Sequence, residues 1–393
     1  MTPVLAAYLG ATALGAGALL RRAGRETPAD RIGEREGRAT IEAVPGVIWV
    51  SAASLGELRS VLPLIAGRDD VLVTTQTRTA ADATRNAGLR HQFTPLDTPD
   101  ATTRFLDTWS PRATVFVESE VPARMVRRLA EAGTPMALIG ARPSRTRARA
   151  PKTMAGLLSH MGVITAASPT VATELKGLGL TVAAVEDLKA ASVAPSPDAA
   201  DLAAWQAALA GRKVWMAAST HEGEEEIALA AHGAQGTHGA HGAHGAQGAQ
   251  GDDALLLLAP RHPERFAAVA ALCPHATRSS KRERPQPETR VHLVDQMGAL
   301  PLFYALSHTV FLGGSLVGRG GHNPYEPAQF GCHILTGPHI RNHQPGYEAL
   351  PHHPVNSESM AKTVARLWDM EPPAAFAPRE AAATKAALTA LLG

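Results

Sequence analysis

Short apolar runs alternate with amphipathic segments along the first half of the chain. The runs have the length of buried strands, and the segments between them carry apolar residues at helical spacing. Strands are predicted at residues 47–50, 71–74, 114–117, 136–139, 163–167 and 181–185, and helices at 58–65, 122–132 and 169–178. This alternation predicts a parallel sheet with helices on both faces, which is an α/β fold.

The same alternation returns after residues 190–197, which we interpret as a linker between domains. A helix at 201–210 leads into strands at 214–217, 254–258, 291–294, 310–312 and 333–335. Ser219 and Glu222 have the S-x-x-E spacing of a capped helix start. The sequence thus predicts two α/β domains, one at residues 23–190 and one at 191–393.

The N-terminal segment, residues 1–22, has a different pattern. Residues 4–20 form an uncharged apolar run, and Arg21, Arg22 and Arg25 follow it. A helix of this length only marginally spans a hydrocarbon core of about 30 Å. A secretory signal would carry its positive charge before the apolar run. A buried core helix is the alternative, but we predict a membrane anchor with the body of the protein on the cytoplasmic side.

Composition narrows the class of protein. The 393 residues are enough for two domains with their own cores, and a net charge of +2 gives no indication of nucleic-acid binding. The two cysteines have no metal-ligand or disulfide spacing. Residues 232–251 repeat HGA and QGA units. Glycine at this density cannot hold a core, so we predict a flexible surface insertion, and its histidines lack the fixed geometry of a metal site.

A glycine-rich stretch follows the predicted strand at 310–312. Gly313, Gly314 and Ser315 come first, and a second glycine cluster lies at 318–321. Glycines allow close approach of the backbone, and free N–H groups before a helix bind anions. The stretch therefore predicts an anion site, although glycines in α/β turns also serve packing alone.

The residues after this glycine stretch predict a helix start. Asn323 is a favoured N-cap, Pro324 suits the first helical position, and Glu326 can complete a capping box. The same Glu326 could accept hydrogen bonds from a ribose, and the two roles do not exclude each other.

The sequence of residues 313–331, GGSLVGRGGHNPYEPAQFG, resembles the C-terminal signature of 3-deoxy-D-manno-octulosonic acid (Kdo) transferases. These bacterial enzymes move Kdo from CMP-Kdo onto the lipid A precursor. Four further stretches are similar to the family and occur in its order: SAASLGE at 51–57, ESE at 118–120, AASTHEGEEE at 217–226 and APRHPERF at 259–266. The resemblance covers nearly the whole chain after the N-terminal segment.

The resemblance implies a glycosyltransferase B arrangement, in which two Rossmann-like, doubly wound domains face each other across a cleft. The N-terminal domain would hold the acceptor and the base, and the C-terminal domain would hold CMP. The implied location is the inner face of the inner membrane, in contact with its lipids. We expect no metal and no other cofactor, since the glycine loop has no Asp-x-Asp motif.

The resemblance also implies catalytic residues in the first domain. It assigns the general base to Glu57, a further site carboxylate to Glu118 and a charge-stabilising role to Lys189. Glu57 and Glu118 follow predicted strands, where ligands of parallel sheets bind. The alternative for Glu57 is a carboxylate that only complements the dipole of its helix. Glu186 and Asp187 depart from the family pattern just before Lys189.

The expected donor ligands lie in the second domain, where Arg261 would meet the CMP phosphate or the Kdo carboxylate. The expected donor set is Pro260, Arg261, Met297, Gly298, Ala299, Gly314, Ser315, Asn323, Pro324, Tyr325 and Glu326. Gln296 and Ala299 depart from the family pattern, and Ala299 removes a carboxylate. Another nucleotide-sugar transferase, an epimerase and an inactive membrane-tethered binding protein are the competing interpretations.

A basic run at residues 142–152 provides candidate contacts for the phosphates of the acceptor. Arg142 and Arg145 are the residues we assign to this role, because guanidinium matches phosphate geometry. The alternative is a solvated loop whose charges contact only water.

Overall fold

The computed structural model describes residues 1–118, 121–209, 211–233 and 254–392. The chain forms two compact units. The first contains Met1–Ser192 together with Arg379–Gly393, and the second contains Val193–Pro378. Each unit is built on a parallel sheet, as the alternating pattern predicts.

The sheet of the first unit has, within the described residues, seven strands in the order β3-β2-β1-β4-β5-β6-β7. Their bounds are β1 Ile48–Ser51, β2 Val71–Thr75, β3 Arg90–Phe93, β4 Ala113–Val117, β5 Met136–Ala141, β6 Val163–Ala166 and β7 Ala184–Val185. The helices are α1 Pro3–Leu14, α2 Ala16–Ala23, α3 Ile32–Arg35, α4 Leu55–Ile65, α5 Arg78–Asn86, α6 Pro99–Trp109, α7 Ala123–Glu131, α8 Arg145–Arg149, α9 Pro151–Leu158, α10 Pro169–Gly177 and α18 Ala382–Leu392.

The core of the first unit lies on both faces of this sheet because successive strand residues point to opposite sides. Trp49 of β1 packs on one face against Phe105 and Phe116, with ring centroids 4.8 and 5.6 Å away. Its neighbours Ile48 and Val50 belong to the core cluster of the other face. Burial on both faces explains why these strands are continuous apolar runs.

Strand β1 lies between β2 and β4, so the chain leaves β1 and β4 toward opposite ends of the sheet. This strand order creates a crevice beyond the carboxyl ends of β1 and β4, which is where doubly wound sheets bind ligands. Glu57, in the first turn of α4, and Glu118, directly after β4, both fall at this point.

The sheet of the second unit repeats the arrangement, again counting described residues only, in the order β10-β11-β9-β8-β12-β13-β14. The strands are β8 Val214–Thr220, β9 Leu255–Pro260, β10 Thr277–Arg278, β11 Val291–Leu293, β12 Thr309–Leu312, β13 His333–Thr336 and β14 His353–Pro354. The helices are α11 Ala199–Ala208, α12 Glu224–His232, α13 Phe266–Leu272, α14 Leu300–Leu306, α15 Tyr325–Gln329, α16 Gln344–Ala349 and α17 Met360–Leu367. The change of direction here lies between β8 and β12.

The C-terminal helix corrects the predicted domain boundary. Residues 379–392 were assigned to the second domain, but they belong to the first unit. Thr384 and Leu388 of α18 are buried there. The Glu186 carboxylate accepts N–H bonds from Ala383 and Thr384 at 3.2 and 2.8 Å, so this departure from the family pattern caps α18.

The N-terminal segment forms two helices, α1 and α2, which meet at a 73° bend. In the described part of the chain no single helix is both long and apolar enough to cross a membrane, whereas this bent pair passes that test by length and composition. The predicted anchor is therefore neither confirmed nor contradicted by the fold.

One alternative and one expectation from the sequence need correction. The alternative interpretation of the basic run at 142–152 as a loop is wrong, because the run contains α8 and the start of α9. His232 does not belong to a flexible tract either: it ends α12, its Nδ1 accepts from Trp215 Nε1 at 3.2 Å, and its Nε2 donates to the Arg290 carbonyl at 2.8 Å. Residues 234–253, which hold the rest of the predicted insertion, lie outside the described residues.

Candidate active site

Glu57 lies in the first turn of α4, and its side chain is mostly buried. One carboxylate oxygen accepts the Ala53 N–H at 2.5 Å, and the Glu57 N–H donates to Ser54 Oγ at 3.3 Å. These bonds hold the start of the helix much as a capping box does. A carboxylate has two oxygens with about four lone-pair sites, so this capping role is compatible with accepting a proton from a ligand.

Glu118 is the centre of a buried charge cluster at the same end of the sheet. Its Oε2 lies 2.8 Å from Arg142 Nε and 3.0 Å from Lys189 Nζ. Burial on its own would raise the pKa of the Glu118 carboxyl, but the charges of Lys189 and Arg142 outweigh it, so the net pKa lies below its ordinary value. Glu118 is therefore held ionised. Ser119 and Glu120, the rest of the ESE stretch, lie outside the described residues.

Asp187 completes this cluster. Its carboxylate pairs with Arg142 and accepts the Lys189 N–H at 3.1 Å, which fixes the short 3-10 turn Leu188–Ala191. Burial raises the pKa of Asp187 despite the attraction of Arg142. Asp187, the second departure from the family pattern, thus holds two of the cluster's cations in position.

The structure separates the two arginines that we assigned to the acceptor phosphates. Arg142 has a side chain only 11 % exposed, and its guanidinium is used by Glu118 and Asp187. Arg145 is exposed at the start of α8. Shortly after them in sequence, Arg147 is buried, and its Nε lies 2.8 Å from Glu174 Oε1. Of the two assigned arginines, Arg145 has the exposure that a phosphate ligand needs, and Arg142 serves the buried cluster.

The N–H groups of the glycine loop after β12 bind an anionic side chain of the protein itself. The buried Glu224 carboxylate accepts N–H bonds from Gly314 at 2.6 Å, Ser315 at 3.1 Å and Leu316 at 2.9 Å. It also accepts the His221 N–H at 3.0 Å. Our reason for placing a ligand anion on the Gly314 and Ser315 N–H groups is therefore wrong.

The helix start predicted from Ser219 and Glu222 is wrong, because the helix begins at Glu224. Helix α12 begins at Glu224 after Gly223, which has the left-handed φ of +91°. Ser219 still belongs to β8. Glycine at 313 is required by packing, since a Cβ there would lie 2.5 Å from the Ser219 carbonyl oxygen.

A group of histidines at the ends of β8, β9 and β12 was missed by the sequence-based assignment. His221 Nε2 lies 3.1 Å from His322 Nε2, and the two rings are stacked. His262 packs edge-on against His221. Burial, with nearby histidine and arginine charges, lowers the pKa of His221 to about 4 and that of His322 to about 3. Both rings are therefore neutral at pH 7, and one donates to the other.

The expected donor ligands follow the ends of the other strands of the second unit. Pro260 ends β9, and Arg261 is exposed directly after it, with its N–H bonded to the Thr220 carbonyl at 3.0 Å. Met297 is 51 % exposed, and Gly298 has a φ of +82°. Ala299 is the N-cap of α14. Arg261 and Met297 therefore have side chains that a ligand can reach.

The predicted helix start, with Asn323 as the N-cap, lies one residue too early. Helix α15 begins at Tyr325, and Pro324 is its N-cap. Asn323 still stabilises this turn, because its Oδ1 accepts the Tyr325 N–H at 3.2 Å. Tyr325 is buried against Phe376, whereas Glu326 is partly exposed. The donor roles of these residues stay predictions.

Two doubly wound parallel sheets, each with charged or polar side chains at its change of strand direction, place the chain in the α/β class with two Rossmann-like units. In agreement, UDP-GlcNAc 2-epimerase from Neisseria meningitidis superimposes with a TM-score of 0.55 at 12 % identity, over 88 % of this chain and all of that one. This likeness establishes the fold alone.

Sequence relatives give the family. The family model described as 3-deoxy-D-manno-octulosonic-acid transferase (kdotransferase) matches residues 30–192. The chain is 33 % identical to the 3-deoxy-D-manno-octulosonic acid transferase of Haemophilus influenzae, over 76 % of this chain and 72 % of that protein. It is 32 % identical to the transferase of the same name from Bordetella pertussis, over 78 % of this chain and 76 % of that protein. The chain therefore belongs to the Kdo transferase family and is a glycosyltransferase.

Proposed function

We propose that this enzyme transfers Kdo from CMP-Kdo to a hydroxyl of the lipid A precursor in lipopolysaccharide synthesis. The family assignment supports Kdo as the transferred sugar. Residues 1–22 would hold the enzyme at the inner membrane, with its body on the cytoplasmic side, because an uncharged apolar run ends in Arg21, Arg22 and Arg25.

The reaction is a displacement at the anomeric carbon of Kdo. The acceptor oxygen forms the new bond, the bond from that carbon to the phosphate oxygen breaks, and CMP leaves with the electron pair. Such a step needs a base for the hydroxyl proton and positive charge or N–H groups for the departing phosphate.

The observation that carries the proposal is the ionised state of Glu118, one of the two glutamates at the end of the first sheet. Glu118 is held ionised by two cations within 3.0 Å, which makes it a weak proton acceptor. Glu57, the other glutamate, lies in the first turn of α4, and its carboxylate accepts the Ala53 N–H. The low basicity of Glu118 supports Glu57 as the base and Glu118 as the residue that positions Lys189.

Lys189 is the cation of this cluster that we assign to charge stabilisation. Its side chain is 13 % exposed, and its ammonium is shared with Glu118. Glu118 holds the ammonium end of this side chain, and Asp187 holds the backbone of Lys189 by accepting its main-chain N–H. Preorganised charge of this kind needs no reorganisation when the leaving group departs.

The donor would be held by the second unit. The exposed Arg261 is the candidate for the phosphate or the Kdo carboxylate, and the segments 297–299 and 323–326 are the candidates for the nucleotide. We propose that no metal takes part. Addition of a chelator to the purified enzyme should leave turnover unchanged.

The test is Glu57→Gln, assayed with CMP-Kdo and the lipid A precursor and with the product read by mass. Loss of a base typically lowers turnover by about 10²–10⁴-fold, whereas loss of a helix-start carboxylate costs only about 0.3–1 kcal/mol of stability. We expect the turnover collapse with CMP affinity retained. Glu42→Gln, at an exposed glutamate of the same unit, is the matched control. Turnover above about a tenth of wild type would refute Glu57 as the base.

A further inference from the structure

Helix α1 is docked along one side onto the body of the first unit. Leu5 is only 9 % exposed and belongs to the core cluster. Arg124 of α7 donates to the Leu9 carbonyl at 2.7 Å and to Thr12 Oγ1 at 3.3 Å. At the other end, Thr2 Oγ1 lies 2.6 Å from Thr153 Oγ1 of α9. These contacts run the length of the helix, so its axis lies along the protein surface.

The opposite side of α1 is apolar and open. Val4 is 56 % exposed and Leu14 93 %, and Met1, just before the helix, is 85 % exposed. Large exposed apolar side chains are scattered singly over the rest of the described residues, but these three lie on or directly before one short helix. A concentrated apolar patch of this kind marks a surface that contacts a partner or a membrane.

Positive charge surrounds this apolar side. Arg127 Nη1 lies 3.7 Å from Met1 Sδ, and the exposed Lys152 precedes the Thr153 that contacts Thr2. Arg21 and Arg22 are exposed in the last turn of α2. Residues 1–25 contain no aspartate or glutamate. An apolar strip with a basic rim complements a bilayer with anionic headgroups.

The bend after α1 opposes a straight span. Helices α1 and α2 meet at 73° around Gly15, where a Cβ would lie 2.9 Å from the Ala11 carbonyl oxygen. The twelve residues of α1 alone extend over about 18 Å, well short of a hydrocarbon core of about 30 Å.

We infer that α1 lies in the plane of an anionic membrane, with Val4 and Leu14 in the lipid and with Leu5, Leu9 and Thr12 on the protein. This inference rests on the membrane location in the proposed function and replaces a spanning anchor with an interfacial helix. The enzyme body would then contact the bilayer along a whole helix instead of being attached to it only through a spanning segment.

The first test is co-sedimentation of the full chain with vesicles of phosphatidylcholine, with or without phosphatidylglycerol. Binding should require phosphatidylglycerol and weaken with salt. Val4→Asp with Leu14→Asp should lower binding by about tenfold or more, because two exposed apolar side chains lose their lipid contact. Val193→Asp with Leu272→Asp, at exposed apolar positions of the second unit, is the matched control and should bind as wild type. Equal binding of both double variants would overturn the inference.

The second test distinguishes an in-plane helix from a spanning one. In Thr2→Cys with Thr153→Cys, mild oxidation should form a disulfide in the vesicle-bound enzyme as readily as in the free enzyme. The single Thr2→Cys variant controls for Cys273 and Cys332. A spanning α1 would carry residue 2 to the far leaflet, so a disulfide that forms in solution but not on vesicles would overturn the inference. Neither readout needs turnover, so failure of the proposed transferase activity would be seen separately.

Discussion

The buried Glu224 carboxylate should be the main support of the glycine loop after β12. It accepts four backbone N–H bonds, from His221, Gly314, Ser315 and Leu316, at 2.6–3.1 Å. The informative perturbation is Glu224→Gln, which keeps the shape of the side chain, removes its charge and replaces one acceptor oxygen with an NH₂ group.

The size of the effect follows from how the four bonds are divided. Glu224 Oε1 accepts from Ser315 and Leu316, and Oε2 accepts from Gly314 and His221. Whichever oxygen becomes NH₂, two bonds are lost and two buried donors face another donor. Hydrogen bonds to a charged group contribute about 1.5–3 kcal/mol each, so the loss should be about 3–6 kcal/mol. Because the loop can relax locally around the new side chain, we expect a loss of stability near the lower end of this range.

The assay is urea unfolding followed by the fluorescence and circular dichroism of the full chain. Because the two units can unfold separately, the transition that contains Trp205 and Trp215 of the second unit is the one to follow. Glu222→Gln is the matched control, since Glu222 is 85 % exposed and pairs only with Arg265 in the described contacts, so its change should stay within about 0.5 kcal/mol. A loss below about 1 kcal/mol for Glu224→Gln would refute this account of the loop.

Three further outcomes are expected. His322 has a pKa of about 3 when folded and about 6.5 when unfolded, so this buried histidine should lower the free energy of unfolding by about 2 kcal/mol between pH 7 and pH 5. In urea titrations, His322→Gln should show a smaller fall over this pH range than the wild type. Lys189→Met should lower turnover by about 10²-fold or more with unchanged CMP affinity. It should also raise the pKa of Glu118, which loses a cation 3.0 Å away. Steady-state rates and CMP calorimetry measure these effects, and normal turnover would contradict the role of Lys189. Glu326→Gln should weaken CMP binding by about tenfold with little change in melting temperature, and unchanged affinity in calorimetry would move the nucleotide elsewhere.

The sequence predicts the sheets well because their strands are defined by local apolar runs. The run at 47–50 became Ile48–Ser51, and the run at 214–217 became the start of Val214–Thr220. The change of strand direction in the first unit lies between β1 and β4, which precede the expected Glu57 and Glu118, and that in the second unit lies beside β12, which precedes the glycine loop. Patterns spanning a few residues are enough to locate such elements.

The sequence does not predict which partners a charged residue finds across the fold. The glycine loop was expected to hold a ligand anion, but its N–H groups bond to Glu224, about ninety residues earlier in the chain. Glu34 and Arg35 also look like surface residues in the sequence. In the structure Glu34 is fully buried and accepts the Phe93 N–H, and Arg35 donates to the Gln76 carbonyl. Only the folded chain brings these groups together.

The C-terminal helix makes completion of the first unit depend on the last residues of the chain. Thr384 is fully buried against Thr165, and Leu391 lies where a Cβ on Gly162 would clash. During synthesis, residues 193–378 leave the ribosome before α18, so the second unit can fold while one face of the first sheet is still uncovered. The first unit would therefore be the last part of the enzyme to reach its native state, although the ribosome makes most of it first.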